Sequence, residues 1–212
     1  MKHTLITTLI ALAFIAPSPA QSLEKGSMVI GAGAGIGIYR TTWIDKTNTG
    51  NPDNKDTSVA AVYPFTFEYA VMNWLGVGAR LNYSYYLRDS AAKAAGDKAF
   101  SYDASACVNA HFLRVKHVDM FISGEYGYSH FAYTTNQANN ARAYANGSCY
   151  SIGFNTRFYF GDAAKFGIHL RYAREGYNYQ NGVITDDTAN PDYKFGLKGN
   201  GGVFGLGLQY RI

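Results

Sequence analysis

The chain has 212 residues, 19 basic against 15 acidic side chains, a formal net charge of +4, and only 16% charged residues. So mild a balance leaves no electrostatic footprint for nucleic acid, and the length suits one domain with a sizeable core. The unusual figures are 18 Tyr, 13 Phe and 23 Gly, a composition that suits β-structure whose side chains face an apolar medium.

The chain starts Met1-Lys2-His3, continues as an apolar run from Leu5 to Ala16, and then reaches Ser18-Pro19-Ala20. Charged, apolar and small segments in that order form a secretory signal peptide. Cleavage is expected after Ala20, giving a signal peptide over 1–20 and one domain over 21–212. The apolar run is too short for an uncleaved anchor, which needs about 20 residues. No later apolar run reaches the length of a membrane helix, so helical spans are excluded. The other route across a bilayer is a closed β-barrel.

From residue 28 onward the sequence alternates with period two, the pattern of strands with two different faces. In the first segment Met28, Ile30, Ala32, Ala34, Ile36 and Ile38 oppose glycines. This Gly-x-Gly run completes no G-x-G-x-x-G, and the strict alternation reads as strand rather than nucleotide loop. In the second, Val59, Ala61, Tyr63, Phe65, Phe67 and Tyr69 oppose Thr66 and Glu68, with Pro64 calling for a bulge or a break because it cannot donate to a ladder. In the third, Leu75 to Tyr85 oppose Arg80, Asn82 and Ser84; in the fourth, Phe100 to Phe112 oppose Asp103, Cys107, Asn109 and His111. The fifth sets Met120, Ile122, Tyr126 and Tyr128 against Ser123, Glu125 and Ser129, and the sixth sets Tyr150 to Phe160 against Ser151, Asn155 and Arg157. The seventh sets Phe166, Ile168, Leu170 and Tyr172 against His169, Arg171 and Glu175, and the eighth sets Phe204 to Ile212 against Gln209 and Arg211.

No charged residue falls on any of the eight apolar faces. A soluble sandwich would also alternate, with its apolar face inward, so the connections decide. Long gaps at 43–57, 88–98, 135–147 and 180–197 alternate with short turns at 72–74, 114–117 and 161–164. That is the arrangement of an outer-membrane barrel with long extracellular loops and short periplasmic turns. Tyr83, Tyr102, Tyr128 and Tyr172 lie toward the long loops, and Trp74, Phe158 and Phe166 toward the turns, as two aromatic girdles require. The fold class expected is therefore all-β, an eight-stranded antiparallel transmembrane β-barrel in the bacterial outer membrane.

With Met72-Asn73-Trp74-Leu75-Gly76-Val77-Gly78-Ala79-Arg80 as turn and strand start, and Phe204 to Ile212 as terminal strand, the sequence resembles the OmpA/OmpX-like family of small outer-membrane β-barrel domains over residues 27–212. The family usually ends in an aromatic residue, commonly Phe, whereas this chain ends in Ile212 with Tyr210 two positions before. The resemblance implies structural or adhesive surface proteins, narrow pores, or a few lipid-modifying enzymes; fold alone does not choose. The implied surroundings are outer-membrane lipid, the barrel-assembly machinery and an extracellular surface partner at the loops, with the chain a monomer.

Candidate chemistry is sparse. Ser129 and His130 are adjacent on one strand and so point to opposite faces, which denies them a shared proton. The segment 45–56 has oxygen side chains at alternating positions, but Thr47 and Thr49 stand where a calcium loop has acids, and it reads as a solvated loop. Cys107 and Cys149 are either small lumen-filling residues or a disulfide, the first being favoured because their strands are not adjacent. No catalytic group, cofactor or metal is expected. The inward charges are the candidate site. Glu68, Asp103, Glu125 and Glu175 face Arg80, Arg157, Arg171 and Arg211, with His169 opposite Arg157, Arg171 opposite Asn155, and Glu68 diagonal to Arg80. An eight-stranded interior is filled by its own side chains, so these charges are expected to pair and plug the lumen. That favours a non-enzymatic structural or surface-interaction barrel; the alternative is a narrow passive channel for small solutes.

Overall fold

The computed structural model describes residues 23–47, 53–87, 96–134, 142–185 and 193–212; the expected signal peptide and its cleavage site lie outside them. Eight strands follow in order: β1 (Met28–Asp45), β2 (Asn54–Met72), β3 (Leu75–Leu87), β4 (Lys98–Val115), β5 (Val118–Thr134), β6 (Arg142–Phe160), β7 (Phe166–Thr185) and β8 (Lys194–Arg211). Each pairs antiparallel with its neighbours in sequence, and β8 returns to β1, so the sheet closes into a barrel without an edge. Among the described residues no helix is long and apolar enough to cross a membrane.

Burial is inverted relative to a soluble protein. Ile36, Ile122, Tyr126, Ile152, Phe204 and Leu208 are each more than half exposed on the outside, whereas Glu68, Arg80, Asp119 and Arg157 are 4% exposed or less within. A sandwich in water would bury the first set and expose the second. The alternating face is thus an outer apolar belt around a polar interior, the arrangement that a hydrocarbon surrounding demands.

The turns Asn73-Trp74 and Lys116-His117, together with residues 161–165, close one end, the turn end; connections 46–53, 88–97, 135–141 and 186–193 belong to the other, the loop end. In the third turn Gly161 takes a left-handed φ of 73° and Ala164 one of 46°, and Ala164 N–H donates to Gly161 O at 3.1 Å. The strands run further toward the loop end than the alternation predicts: 142–147, 180–185 and 194–197, expected as loop, are strand. Beyond the belt both faces are polar, so the alternation fades while the ladder continues. Register shifts fall near strand ends, at Ala70/Met72, His111/Leu113, Tyr144/Gly147 and Tyr179/Gly182, where bulges bend a barrel's rim.

Pro64 causes no bulge. It pairs with Asn82 of β3 in register, and the β1–β2 ladder lapses only between Ala32↔Phe65 and Gly35↔Val62 before resuming unshifted. The proline leaves a gap on the side where its missing N–H would have pointed. Cys107 and Cys149 are both free and buried, on strands that do not pair. At the turn end the segment ahead of β1 folds against the barrel. Gly26 N–H donates to Ala70 O and Ala70 N–H to Ser27 O, each at 2.9 Å, and Leu23 is buried with Val29 and Ala70.

An arginine placed on the belt tests its surroundings. Ile122→Arg or Leu206→Arg should cost about 2–4 kcal/mol of folding free energy in lipid, as a cation near the bilayer midplane does. Reversible urea unfolding in phosphatidylcholine vesicles measures it; unchanged stability of both variants would place this face in water.

Candidate functional site

The inward residues of β1 to β7 build three polar tiers, stacked from the turn end toward the loop end. In the lowest, the Glu68 carboxylate accepts from Arg157 Nη2 at 2.5 Å and lies 2.7 Å from His111 Nε2. Asp119 lies 2.7 Å from His111 Nδ1 and accepts from Arg157 Nη1 at 3.3 Å. Both imidazole nitrogens therefore face carboxylate oxygens, a geometry that two N–H donors satisfy in full. Phe121 supports the group: the Arg157 guanidinium stands 4.2 Å from its ring centroid, and the His111 ring stacks on it at 4.6 Å. Glycine makes room for Glu68, because a Cβ at Gly76 would collide with its carboxylate.

The middle tier is a ring of alternating charge. Arg80 Nη1 donates to Glu125 Oε2 at 3.0 Å and to Glu175 Oε1 at 2.9 Å. Arg171 donates from Nη1 to Glu125 Oε1 at 2.6 Å and from Nη2 to Glu175 Oε1 at 3.5 Å. Ser123 and Ser151 accept from the same guanidinium at 3.1 and 2.6 Å. Asn155 links this tier to the one below, donating to Ser123 Oγ and meeting His169 Nε2, each at 3.0 Å. Two cations and two anions each see both opposite partners, which is how buried charge becomes tolerable in a low-dielectric interior.

The upper tier exchanges cations for neutral donors. Asp103 accepts from Asn82 Nδ2 at 2.9 Å, Ser129 Oγ at 2.5 Å and the Tyr177 hydroxyl at 3.3 Å. The Tyr39 hydroxyl donates to Glu175 at 3.0 Å, the Tyr177 hydroxyl shares its one proton between Asp103 and Glu175, the latter at 3.2 Å, and the Tyr179 hydroxyl meets Ser129 at 2.7 Å. Their rings pack with Tyr86 and Phe131 into an aromatic lid. Above the lid opens a cavity of about 670 Å³ at the loop end, walled by Trp43, Tyr133, Ile184 and Leu197 with Thr57 and Ser58 at its side.

Eight of the nine residues singled out from the sequence lie in or against these tiers; the ninth, Arg211, stands apart at the turn end, 5.1 Å over the Tyr159 ring. Arg157 sits opposite His169 and Asn155 opposite Arg171. Glu68, expected within reach of Arg80, bonds instead to Arg157 and His111, because Arg80 leans toward the loop end to meet Glu125 and Glu175. Sequence reasoning missed Asp119, Tyr39 and Tyr177 as members, and counted His111 as inward without giving it a role. Extending the inward parity of β1, β5 and β7 by one or two more positions finds the first three.

Ser129 and His130 are separated as expected: Ser129 is buried against Asp103, while His130 faces outward and bonds Asn146 at 2.7 Å. Both nitrogens of His111 are committed to carboxylates, so neither is placed to take a proton from a nucleophile. Among the described residues no group of three or more His, Cys, Asp or Glu is placed to hold a metal. Of the calcium-loop reading, 48–52 lie outside the described residues; Asp45 and Asp56 belong to β1 and β2, each accepting a nearby backbone N–H.

No protein-family model matches the sequence, and no curated protein matches it. Solved structures do. The outer membrane protein OprG of Pseudomonas aeruginosa is 10% identical with a TM-score of 0.51, over 90% of this chain and 97% of that one. The outer membrane protease OmpT of Escherichia coli is 11% identical over 92% and 99%, with a TM-score of 0.49. Ail, the attachment invasion locus protein of Yersinia pestis, is 15% identical over 89% and 99%, with a TM-score of 0.44. At such identities the likeness to OprG shows the fold, that of an outer-membrane barrel, and no activity.

Removing one member of the lower tier should be costly out of proportion to an exposed charge. Arg157→Ala leaves Glu68 and Asp119 buried beside one imidazole and should lower unfolding free energy by about 3–5 kcal/mol. Lys98→Ala, exposed on the outer face of β4, should change it by less than about 0.5 kcal/mol. Equal effects in denaturant titrations of the refolded barrel would show that the tiers are hydrated rather than buried.

Proposed function

We propose that this chain is an exported, non-enzymatic barrel of the bacterial outer membrane, OmpA/OmpX-like, with a structural or surface-interaction role and a lumen closed by its own side chains. One observation carries the reading: apolar side chains cover the outside of a closed sheet while ion pairs fill the inside. The first property makes lipid the natural surroundings, and the second takes up the space through which a solute would pass. Residues 1–20 serve as the cleaved signal peptide. The barrel reaches the membrane through the assembly machinery as a monomer, with its turns in the periplasm and its loop end outside. Contact with an extracellular partner is made there, where connections of several residues and the aromatic-floored cavity supply surface that a rigid scaffold can present.

Cell fractionation and topology test the proposal together. The protein should be recovered with outer membranes and run faster on SDS gels unheated than boiled, because a closed barrel resists the detergent. Epitope tags placed within 47–53 or 185–192 should be tolerated and label intact cells, since long connections between strands accept insertions. Soluble periplasmic recovery without a heat-dependent shift, or labelling of intact cells only from tags at 116–117, would overturn it.

A further inference from the structure

The charges of the barrel are sorted by face as well as by position. Every Asp and Glu within a described strand is inward, from Asp45 and Asp56 at the loop end to Asp119 near the turns. The outward charges of the described strands, among them Arg40, Lys55, Lys98, Arg142, Arg174 and Lys198, are basic, exposed and confined to the loop half. A surface in water ordinarily mixes both signs. Here the cations begin where the apolar belt ends: Arg40 follows Ile38 on the outer face of β1, and Arg174 follows Tyr172 on that of β7, both belt residues being more than half exposed. That is the depth of lipid headgroups.

Four of these cations converge across β7, β8, β1 and β2. Arg40 is directly opposite Asn200 of β8 and Thr57 of β2, so Lys198 and Lys55 are its diagonal neighbours, about 7–8 Å away along the sheet. Arg174 Nε donates to Asn200 Oδ1 at 2.8 Å, and Asn200 Nδ2 donates to the Tyr150 hydroxyl at 3.2 Å. The asparagine thereby holds one guanidinium beside the next. No ion pair to a described residue neutralises Arg40, Lys55, Arg174 or Lys198. Between them the outer surface is low, because Gly202 presents no side chain and a Cβ there would meet only the edge of Tyr172, at 3.8 Å. Cations around a shallow floor, with Tyr150 and Tyr172 at its membrane side, match a group that carries several anionic oxygens above an acyl chain.

We infer that the outer face formed by Arg174, Asn200, Lys198, Arg40 and Lys55 binds the phosphorylated headgroup of a lipid in the leaflet at the loop end. The inference rests on the transmembrane reading above. Charge-assisted bonds from guanidinium and ammonium to phosphate oxygens supply the attraction; Tyr150, Tyr172 and Ile38 contact the upper acyl chain. The carboxylates of the tiers, Glu68, Asp103, Asp119, Glu125 and Glu175, are screened from the headgroup by the wall and by their own partners. The same sorting therefore lets one barrel keep acids in its lumen and meet an anionic leaflet.

The full chain is reconstituted into nanodiscs of phosphatidylcholine with a minor fraction of phosphatidic acid, released into mild detergent, and the lipid retained is counted by native mass spectrometry. Wild type should retain phosphatidic acid in preference to phosphatidylcholine, and less so at high salt. Arg40→Gln/Lys198→Gln should reduce that preference by about fivefold for each cation removed, while the charge-matched pair Lys98→Gln/Arg142→Gln, on β4 and β6, should leave it within about twofold. Equal loss in the two double variants, or no preference in wild type, would overturn the assignment. Insertion into pure phosphatidylcholine nanodiscs, read by β-sheet circular dichroism and the heat-dependent gel shift, separates the outcomes. A chain that inserts but shows no preference refutes the headgroup site alone, and one that fails to insert refutes the transmembrane reading with it.

Discussion

A strand that faces hydrocarbon cannot leave backbone N–H or C=O groups unpaired, because no water is there to take them. Closure of β8 onto β1 meets that constraint, and the two strands pair from Val29↔Arg211 to Asp45↔Phe195. Glycine makes the seam close. Gly33 and Gly35 on β1 lie against β8 so tightly that added Cβ atoms would come within 2.6 and 2.5 Å of the carbonyl oxygens of Leu206 and Phe204. Once the ring is shut, every side chain must go outward into the apolar belt or inward into a narrow lumen.

The lumen then sets its own problem. Eight strands leave an interior that side chains fill, and in this chain long charged side chains occupy its lower and middle tiers. Isolated buried charges would cost several kcal/mol each. Their arrangement in alternating order, Arg80–Glu125–Arg171–Glu175 in the middle and Glu68–Arg157–Asp119 around His111 below, offsets that cost. The tyrosine lid continues the logic upward: the Tyr39 and Tyr177 hydroxyls turn to carboxylates and the Tyr179 hydroxyl to Ser129, while the rings line the loop-end cavity. Interior polarity, usually associated with passage, is here taken up in ion pairs and hydrogen bonds between side chains.

How much of this the sequence disclosed follows from which forces are local. The alternation of Phe204, Leu206, Leu208 and Tyr210 with Gly205, Gly207, Gln209 and Arg211 depends only on one strand having two surroundings, so the fold class and the inward charges were legible. Hairpin register across short turns was legible too, hence Arg157 opposite His169. Contacts across the lumen were not. Arg80 reaches Glu125 and Glu175 on strands that do not adjoin its own, and Tyr39 reaches Glu175 from β1; side-chain length and lean decide these, and one-strand patterns carry neither. Strand ends were misjudged for a related reason. At 142–147 and 180–185 the ladder persists after the lipid-facing signal has stopped, so hydrophobicity marks where the belt ends rather than where the strand does.

A closed lumen requires that paired side chains, and no continuous water, occupy the barrel interior. Planar-bilayer recording on the purified, refolded full chain tests it most directly. With insertion verified by the heat-dependent gel shift, the account predicts a wild-type current at the level of the protein-free bilayer. Steady, discrete conductance steps from the unaltered protein would contradict it, placing Arg80, Glu125, Arg171 and Glu175 along a water-filled passage rather than in a plug.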